Sequence, residues 1–184
     1  MKPIPKIVLF ALVVLAAAPA WSSTFLAMTP RELVAGSDAV VQGEVLQVHS
    51  FWSPSGRLIL TEAIIRVEER IAGESPSVLV LRTAGGSVEG FTVEAHGFPT
   101  FTKGQRLLLF VSNGDPGEVV GYRQGQYRIV RDTAGVEMAV PTVEKEVRLL
   151  SRDGRPAPRP VPVRLQELKS QIRAEAVRAG RIVN

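Results

Sequence analysis

The sequence contains no cysteine, and this absence excludes several classes of protein at once. Disulfide scaffolds, cysteine nucleophiles and multi-cysteine zinc sites all need thiols, and so does a lipid-modified mature N-terminus. Histidine is almost as scarce, since the chain has only His49 and His96, and aromatic residues make up 6% of the sequence. No residue pattern typical of cofactor binding is present, so we expect no cofactor.

The chain begins with a pattern typical of a secretory signal peptide. Lys2 and Lys6 form a short positive region before an apolar run over Ile7–Ala18, and Ala18-Pro19-Ala20 places small residues where a signal peptidase reads them. The run has about twelve residues, whereas a membrane span needs about twenty. We therefore predict a signal peptide over 1–20, cleaved after Ala20 or in the Ser22–Ser23 region. A retained membrane anchor is the alternative.

The exported chain is expected to have no transmembrane segment and to reside in the periplasm, at the cell surface or outside the cell. Its positive charge is concentrated near the end of the chain. Residues 21–140 hold ten basic and thirteen acidic side chains, whereas residues 141–184 hold ten basic and five acidic ones. Nucleic-acid-binding domains present a basic face, so no nucleic-acid partner is expected.

A β-rich domain over 24–140 is predicted from the patterns that follow the signal. Thr29, Pro30 and Glu32 have the spacing of a helix start with a capping box. From Leu58 to Ile71 the residues alternate with a period of two, as in a strand with one buried face. Turn residues separate the remaining short strands, which favours an antiparallel sandwich or barrel. The other predicted strands are Ala39–Val48, Val78–Thr83, Phe91–His96, Gln105–Ser112, Val119–Tyr122 and Gln126–Arg131.

The last part of the chain has a different character. Residues 141–162 are predicted to be a proline-rich linker, extended where four prolines alternate with other residues. Residues 163–180 are predicted to form an amphipathic helix with Leu165, Leu168 and Ile172 on one stripe. Such a helix is marginal alone in water, so we expect it to dock, most simply on its own domain.

Several motifs in the middle of the chain together resemble a known group. These motifs are Ser37-Asp38-Ala39-Val40-Val41-x-Gly43-x-Val45, Gly85-Gly86, Gly97-Phe98-Pro99-x-Phe101-x-x-Gly104-Gln105-Arg106 with the apolar run to Phe110, and Gly121-x-x-Gln124-Gly125-x-Tyr127. The pattern resembles uncharacterised bacterial exported proteins with a small OB-like or netrin-module-like β-barrel domain. The resemblance implies an all-β, mainly antiparallel, partly open barrel, and it implies no activity.

Two sets of residues are candidate sites. Glu94 and His96 lie two residues apart on one predicted strand, and His49 or Glu89 could complete a divalent-metal site. This set leads to the hypothesis of a metal-dependent hydrolase using His96, Glu94 and His49. The ordinary interpretation is a solvated strand face, and whether the protein is an enzyme stays open, with the balance against it.

The second set is Phe51 and Trp52, at the tip of a predicted hairpin, where exposed aromatic side chains are typical of contact sites. They are the candidate ligand or partner contacts, unless both rings fold inward. Our leading hypothesis is an exported, non-catalytic binding or interaction module with a protein or envelope-polymer partner. A third hypothesis is an envelope-surface binder that attaches through the basic C-terminal tail.

Overall fold

The computed structural model describes residues 23–183, and both the predicted signal peptide and Ser22 of the alternative cleavage region lie outside them. The elements follow one another along the chain and are numbered here in that order. The strands are β1 (Ser23–Leu26), β2 (Ala39–Trp52), β3 (Ile59–Gly73), β4 (Val78–Ala84), β5 (Gly86–Val88), β6 (Phe91–Val93), β7 (Arg106–Ser112), β8 (Glu118–Val119), β9 (Gln126–Arg131), β10 (Glu137–Pro141), β11 (Val147–Leu150) and β12 (Val163–Arg164). The helices are α1 (Pro30–Gly36) and α2 (Leu165–Arg178), and a 3₁₀ turn covers Tyr122–Gly125.

Most of the strands form one antiparallel sheet in the order β12–β10–β9–β7–β2–β3–β4, with β8 beside β7. Strands β12 and β4 end this order, and no pairing between named strands within residues 23–183 joins the two into a closed sheet. On its outer side β4 makes one bridge to Gly117, just before β8: the Arg82 amide donates to the Gly117 carbonyl oxygen and the Gly117 amide to that of Val80, both at 2.9 Å. Register shifts after Val40, Gln42 and Val45 have the pattern of β-bulges, which bend a strand. Gly43 allows the close approach of β2 to β3, because a Cβ there would lie 2.5 Å from the Arg66 carbonyl oxygen.

The sheet buries apolar side chains on both faces. On one face, Leu108 and Phe110 of β7 belong to a core that includes residues of α1 and α2. On the other face, Leu107 and Leu109 belong to a second core, to which Phe101 also contributes. Successive side chains of a strand point in opposite directions. Burial on both faces therefore explains why the sequence of β7 is continuously apolar rather than alternating.

Helix α1 begins as predicted. The Glu32 amide donates to Thr29 Oγ1 at 3.2 Å, and the Thr29 amide donates to Glu32 Oε2 at 2.8 Å, which completes the capping box. Arg152, from the far end of the chain, lies 2.7 Å from Glu32 Oε1. The Thr29 backbone N–H and then the Arg152 guanidinium lower the pKa of Glu32 from 4.5 to about 2. The Glu32 carboxylate therefore stays ionised down to strongly acidic pH.

Helix α2 is part of the first core. Leu165, Leu168, Ile172 and Ala176 are buried there, and the helix contacts α1, β3 and β10. The predicted amphipathic helix thus docks on its own domain. The first core is built from both ends of the described chain, since α1 precedes the sheet and α2 follows it.

A buried lysine joins α2 to β3. The Lys169 side chain is only 4% exposed, and its Nζ lies 2.6 Å from Glu69 Oε2, while Arg173 Nη2 lies 2.8 Å from Glu69 Oε1. Desolvation raises the pKa of Glu69, but the hydrogen bonds and charges of Lys169 and Arg173 outweigh it and leave that pKa below its usual value. The carboxylate is the counter-charge that makes the burial of Lys169 tolerable.

The segment 141–162, predicted to be a linker, also contains secondary structure. Strand β11 lies within it and pairs in parallel with β1. Val147 and Leu149 of this strand are buried, and Arg159 donates to the carbonyl oxygens of Glu144 at 2.8 Å and Lys145 at 2.6 Å. The Val-x-Leu alternation of β11 fits a strand but is too short to predict one, and the strand is formed by its pairing with β1.

The all-β, mainly antiparallel fold with a short helix before the sheet and an amphipathic helix after a proline-rich stretch is confirmed. The predicted strand over Leu58–Ile71 is β3, and it has one buried face as predicted, with Ala63 and Ile65 in the second core. None of the helices within residues 23–183 is long and apolar enough to cross a membrane.

Candidate functional site

A cavity of about 300 Å³ lies where the β5–β6 hairpin meets the main sheet, and we call it the hairpin cavity. Its polar walls are Ser50, Thr61, Thr83, Ser87, Thr92, Thr100, Glu94, Arg123 and Glu144. Its volume is at the lower end of the range, about 300–1,000 Å³, of small-molecule sites. The space therefore suits a small ligand or one unit of a larger one.

Two glycines bring the hairpin onto the sheet. Gly85 and Gly86, directly after β4, have φ values of 89° and 130°, in the region that favours glycine. A Cβ on Gly86 would lie 2.3 Å from Thr61 Oγ1 and 2.4 Å from Ser50 Oγ. The hairpin can therefore rest against these hydroxyls only because residue 86 has no side chain.

A row of hydroxyl side chains crosses the cavity floor. Ser50 of β2 pairs with Thr61 of β3, which in turn pairs with Thr83 of β4. Directly paired residues project from the same face of a sheet, so the three hydroxyls are neighbours. Ser50 Oγ lies 2.8 Å from Thr61 Oγ1, which donates to the Gly85 carbonyl oxygen at 2.6 Å, and Thr83 Oγ1 donates to that of Pro99 at 3.0 Å.

A charged cluster forms one corner of the cavity. Arg123 Nη2 lies 2.8 Å from Glu144 Oε1, and His96 Nδ1 lies 3.4 Å from Glu144 Oε2. The Gly97 amide also donates to Glu144 Oε2, at 3.1 Å. The Arg123 side chain is 14% exposed and donates from Nε to the Phe98 carbonyl oxygen at 2.7 Å. Glu144 therefore gathers a guanidinium, an imidazole and a backbone amide around one carboxylate.

The predicted contact residues lie on opposite faces of β2. Trp52 is 38% exposed and packs edge-on against Phe91 of the hairpin, with ring centroids 5.9 Å apart. It lies on the face of Ser50, two residues beyond it. Phe51 lies on the other face, stacked with His49 at 5.9 Å and with the Arg82 guanidinium 5.7 Å from its ring centroid.

The structure does not assemble the predicted metal ligands. Glu94 lines the hairpin cavity and His96 lies beside Glu144, but His49 is on the opposite side of β2 with Phe51. Glu89, the other candidate ligand, is in the hairpin turn, at φ 50°. Within residues 23–183 no three His, Asp or Glu side chains are placed to hold a metal ion. His49 follows the cavity-lining Val48, and adjacent strand residues point to opposite faces, which explains the separation.

The basic side chains of the tail contact the tail's own domain. Arg152 pairs with Glu32, Lys169 and Arg173 pair with Glu69, and Arg181 donates to the Ser37 carbonyl oxygen. These contacts hold the C-terminal segment against α1 and β3. Four of the ten basic side chains of residues 141–184 are thus engaged in contacts with the rest of the domain.

The chain was compared with protein-family models, curated proteins and solved structures. No match was found. Support for the candidate site therefore comes from its geometry alone.

Sequence reasoning missed the floor and the charged corner of the cavity. A signal for the floor exists, because Thr61 and Thr83 interrupt strand faces that are otherwise apolar, and both are more than 90% buried. Their meeting with Ser50 depends on the register of three strands, which the sequence does not specify. Arg123 lies in the 3₁₀ turn Tyr122–Gly125 and Glu144 in the loop between β10 and β11, and no local pattern connects them.

Proposed function

We propose that this protein is an exported, non-catalytic binding module and that its ligand occupies the hairpin cavity. One observation carries the proposal: three hydroxyls in register, with the Arg123–Glu144 pair beside them, line a cavity of about 300 Å³. Binding sites typically combine such a concavity with a few convergent polar groups. The resemblance to exported β-barrel proteins is compatible with this role.

The hydrogen bonds of the floor support binding rather than catalysis. A hydroxyl nucleophile donates its proton to a general base. Thr61 and Thr83 donate theirs to the backbone carbonyl oxygens of Gly85 and Pro99 instead. Ser50 contacts Thr61 Oγ1, not an imidazole. These hydroxyls are arranged as fixed polar contacts.

Ligand binding is tested by amide chemical-shift mapping of the purified protein with a set of small polar fragments. We expect the shifts to cluster at Ser50, Gly85 and Gly86. A Ser87→Trp variant should abolish them, because Ser87 is an exposed hairpin residue whose enlarged side chain would fill the cavity. Ser170→Trp, on the exposed side of α2, is the matched control and should bind as the parent protein does. Shifts confined to the outer face around Phe51 would contradict the proposed site.

Export is tested by the mass of the N-terminal peptide of the protein recovered from outside the cytoplasmic membrane. We expect the chain to begin at Trp21. Ser23 is the first residue of β1 and pairs with Val147, so cleavage after Ala20 leaves this strand intact. An Ala18→Arg variant, with a large residue where the peptidase reads small ones, should keep its leader. Recovery of the parent chain in the cytoplasm with Met1 retained would contradict export.

A further inference from the structure

We infer that the hairpin cavity selects a hydrogen-bond-donating, positively charged ligand, namely a small polyhydroxyl unit that carries an ammonium group, such as an amino sugar. This inference rests on the proposed function and adds the ligand's chemistry to it. It follows from where the protons of the cavity floor are directed and from the charges at its margin.

The floor hydroxyls present lone pairs to the cavity. A hydroxyl has one proton and two acceptor lone pairs. Thr61 and Thr83 direct their protons to the Gly85 and Pro99 carbonyl oxygens. Since the proton of Thr61 is already used, Ser50 must be the donor in the 2.8 Å contact between Ser50 and Thr61. All three protons are thus used within the protein, and the row can only accept hydrogen bonds from a ligand.

The margin of the cavity carries a net negative charge. Glu144 is compensated by Arg123 at 2.8 Å. Arg123 also donates from Nε to the Phe98 carbonyl oxygen and from Nη1 to that of Thr142. Glu94 lines the cavity from its exposed side, and within residues 23–183 it has no ion-pair partner at 4.0 Å or less. One carboxylate therefore faces the ligand without a counter-charge.

These two features exclude most anionic ligands. A carboxylate or phosphate would place acceptors against the acceptor row and bring a second negative charge next to Glu94, which is unfavourable on both counts. A sugar ring supplies several hydroxyl donors. An ammonium group supplies three more N–H donors and the positive counter-charge for the Glu94 carboxylate.

The test is a titration of the purified protein with glucosamine, glucose and glucuronate, followed by the amide shifts of the cavity. We expect glucosamine to bind about tenfold more tightly than glucose, since one charge-assisted hydrogen bond replaces a neutral one, and glucuronate to bind weakest. A glucosamine tetramer distinguishes a polymer unit from a free sugar: tighter binding than the monomer indicates a chain that continues out of the cavity, and equal binding indicates a free amino sugar.

Two variants separate the contributions. Glu94→Gln should remove the preference for glucosamine over glucose while leaving glucose binding unchanged. Ser50→Ala should weaken both sugars severalfold, because it removes one acceptor of the row, and Ser170→Ala is its matched control outside the cavity. Tighter binding of glucuronate, or a preference for glucosamine that survives Glu94→Gln, would overturn the inference but leave the cavity as a binding site. If neither the sugars nor the polar fragments shift the cavity amides, the proposed function fails as well.

Discussion

Deletion of residues 163–184 is expected to unfold the whole domain rather than to release a dispensable tail. Helix α2 contributes Leu165, Leu168 and Ile172 to the first core, where all three are buried. At about 1.5–3 kcal/mol for each large apolar side chain, their burial is worth about 5–9 kcal/mol. The total stability of a domain is about 5–15 kcal/mol. Circular dichroism of the truncated chain should therefore show the loss of the β-sheet signal.

A milder form of this prediction uses one side chain. Ile172→Ala should lower the free energy of unfolding in urea by about 2–5 kcal/mol, since it leaves a cavity in a fully buried position. Val177→Ala is the matched control on the same helix, because Val177 is 64% exposed and should change stability by less than about 0.5 kcal/mol. Equal effects of the two substitutions, or a truncated chain that remains folded, would show that α2 is not part of the core.

The same helix shows what the sequence could predict and what it could not. The stripe of Leu165, Leu168 and Ile172 was visible from helical spacing alone, and so was the need for a docking surface. The position of that surface was not visible, because β3 and α1 lie more than ninety residues away. Lys169 is the least predictable member, since a lysine next to an apolar stripe normally faces solvent, and only its pairing with Glu69 at 2.6 Å explains its burial.

Local patterns were reliable wherever one element determines its own conformation. The capping box of Thr29 and Glu32 and the alternation along β3 both depend on near neighbours, and both are present in the structure. Strands β5 and β11 are short, and each is formed by pairing rather than by its own composition. The hairpin cavity depends on such pairing throughout. Its residues can be recognised one by one in the sequence, but their assembly into a site cannot be predicted from it.

The metal-site hypothesis shows that closeness in sequence does not by itself bring side chains together. Glu94 and His96 are two residues apart, and both are near the hairpin cavity. However, strand β6 ends at Val93, so the regular alternation that would have placed their side chains together does not extend to them. His96 pairs with Glu144 instead, an acidic residue from the segment predicted to be a linker. Long-range contacts thus determine which groups meet at this corner.

Gly86→Ala is expected to abolish ligand binding at the hairpin cavity and to destabilise the domain. The new Cβ would lie 2.3 Å from Thr61 Oγ1 and 2.4 Å from Ser50 Oγ, so the hairpin must lift or the hydroxyl row must break. The backbone adds strain, because φ is 130° at this residue and L side chains rarely adopt that value. Both effects act directly on the floor of the cavity.

Gly90→Ala is the matched control within the same hairpin. Gly90 also has a positive φ, 85°, but a Cβ there would meet nothing within 4 Å. It therefore shares the backbone strain of Gly86→Ala without the collision with the floor. We expect the control to lose some stability in urea, by about 0.5–1 kcal/mol or more, while the amide shifts produced by polar fragments persist. Loss of binding in Gly86→Ala alone would show that the position of the hairpin on Ser50 and Thr61 creates the site. Equal binding by both variants would show that the contact between Gly86 and the hydroxyl row does not shape it.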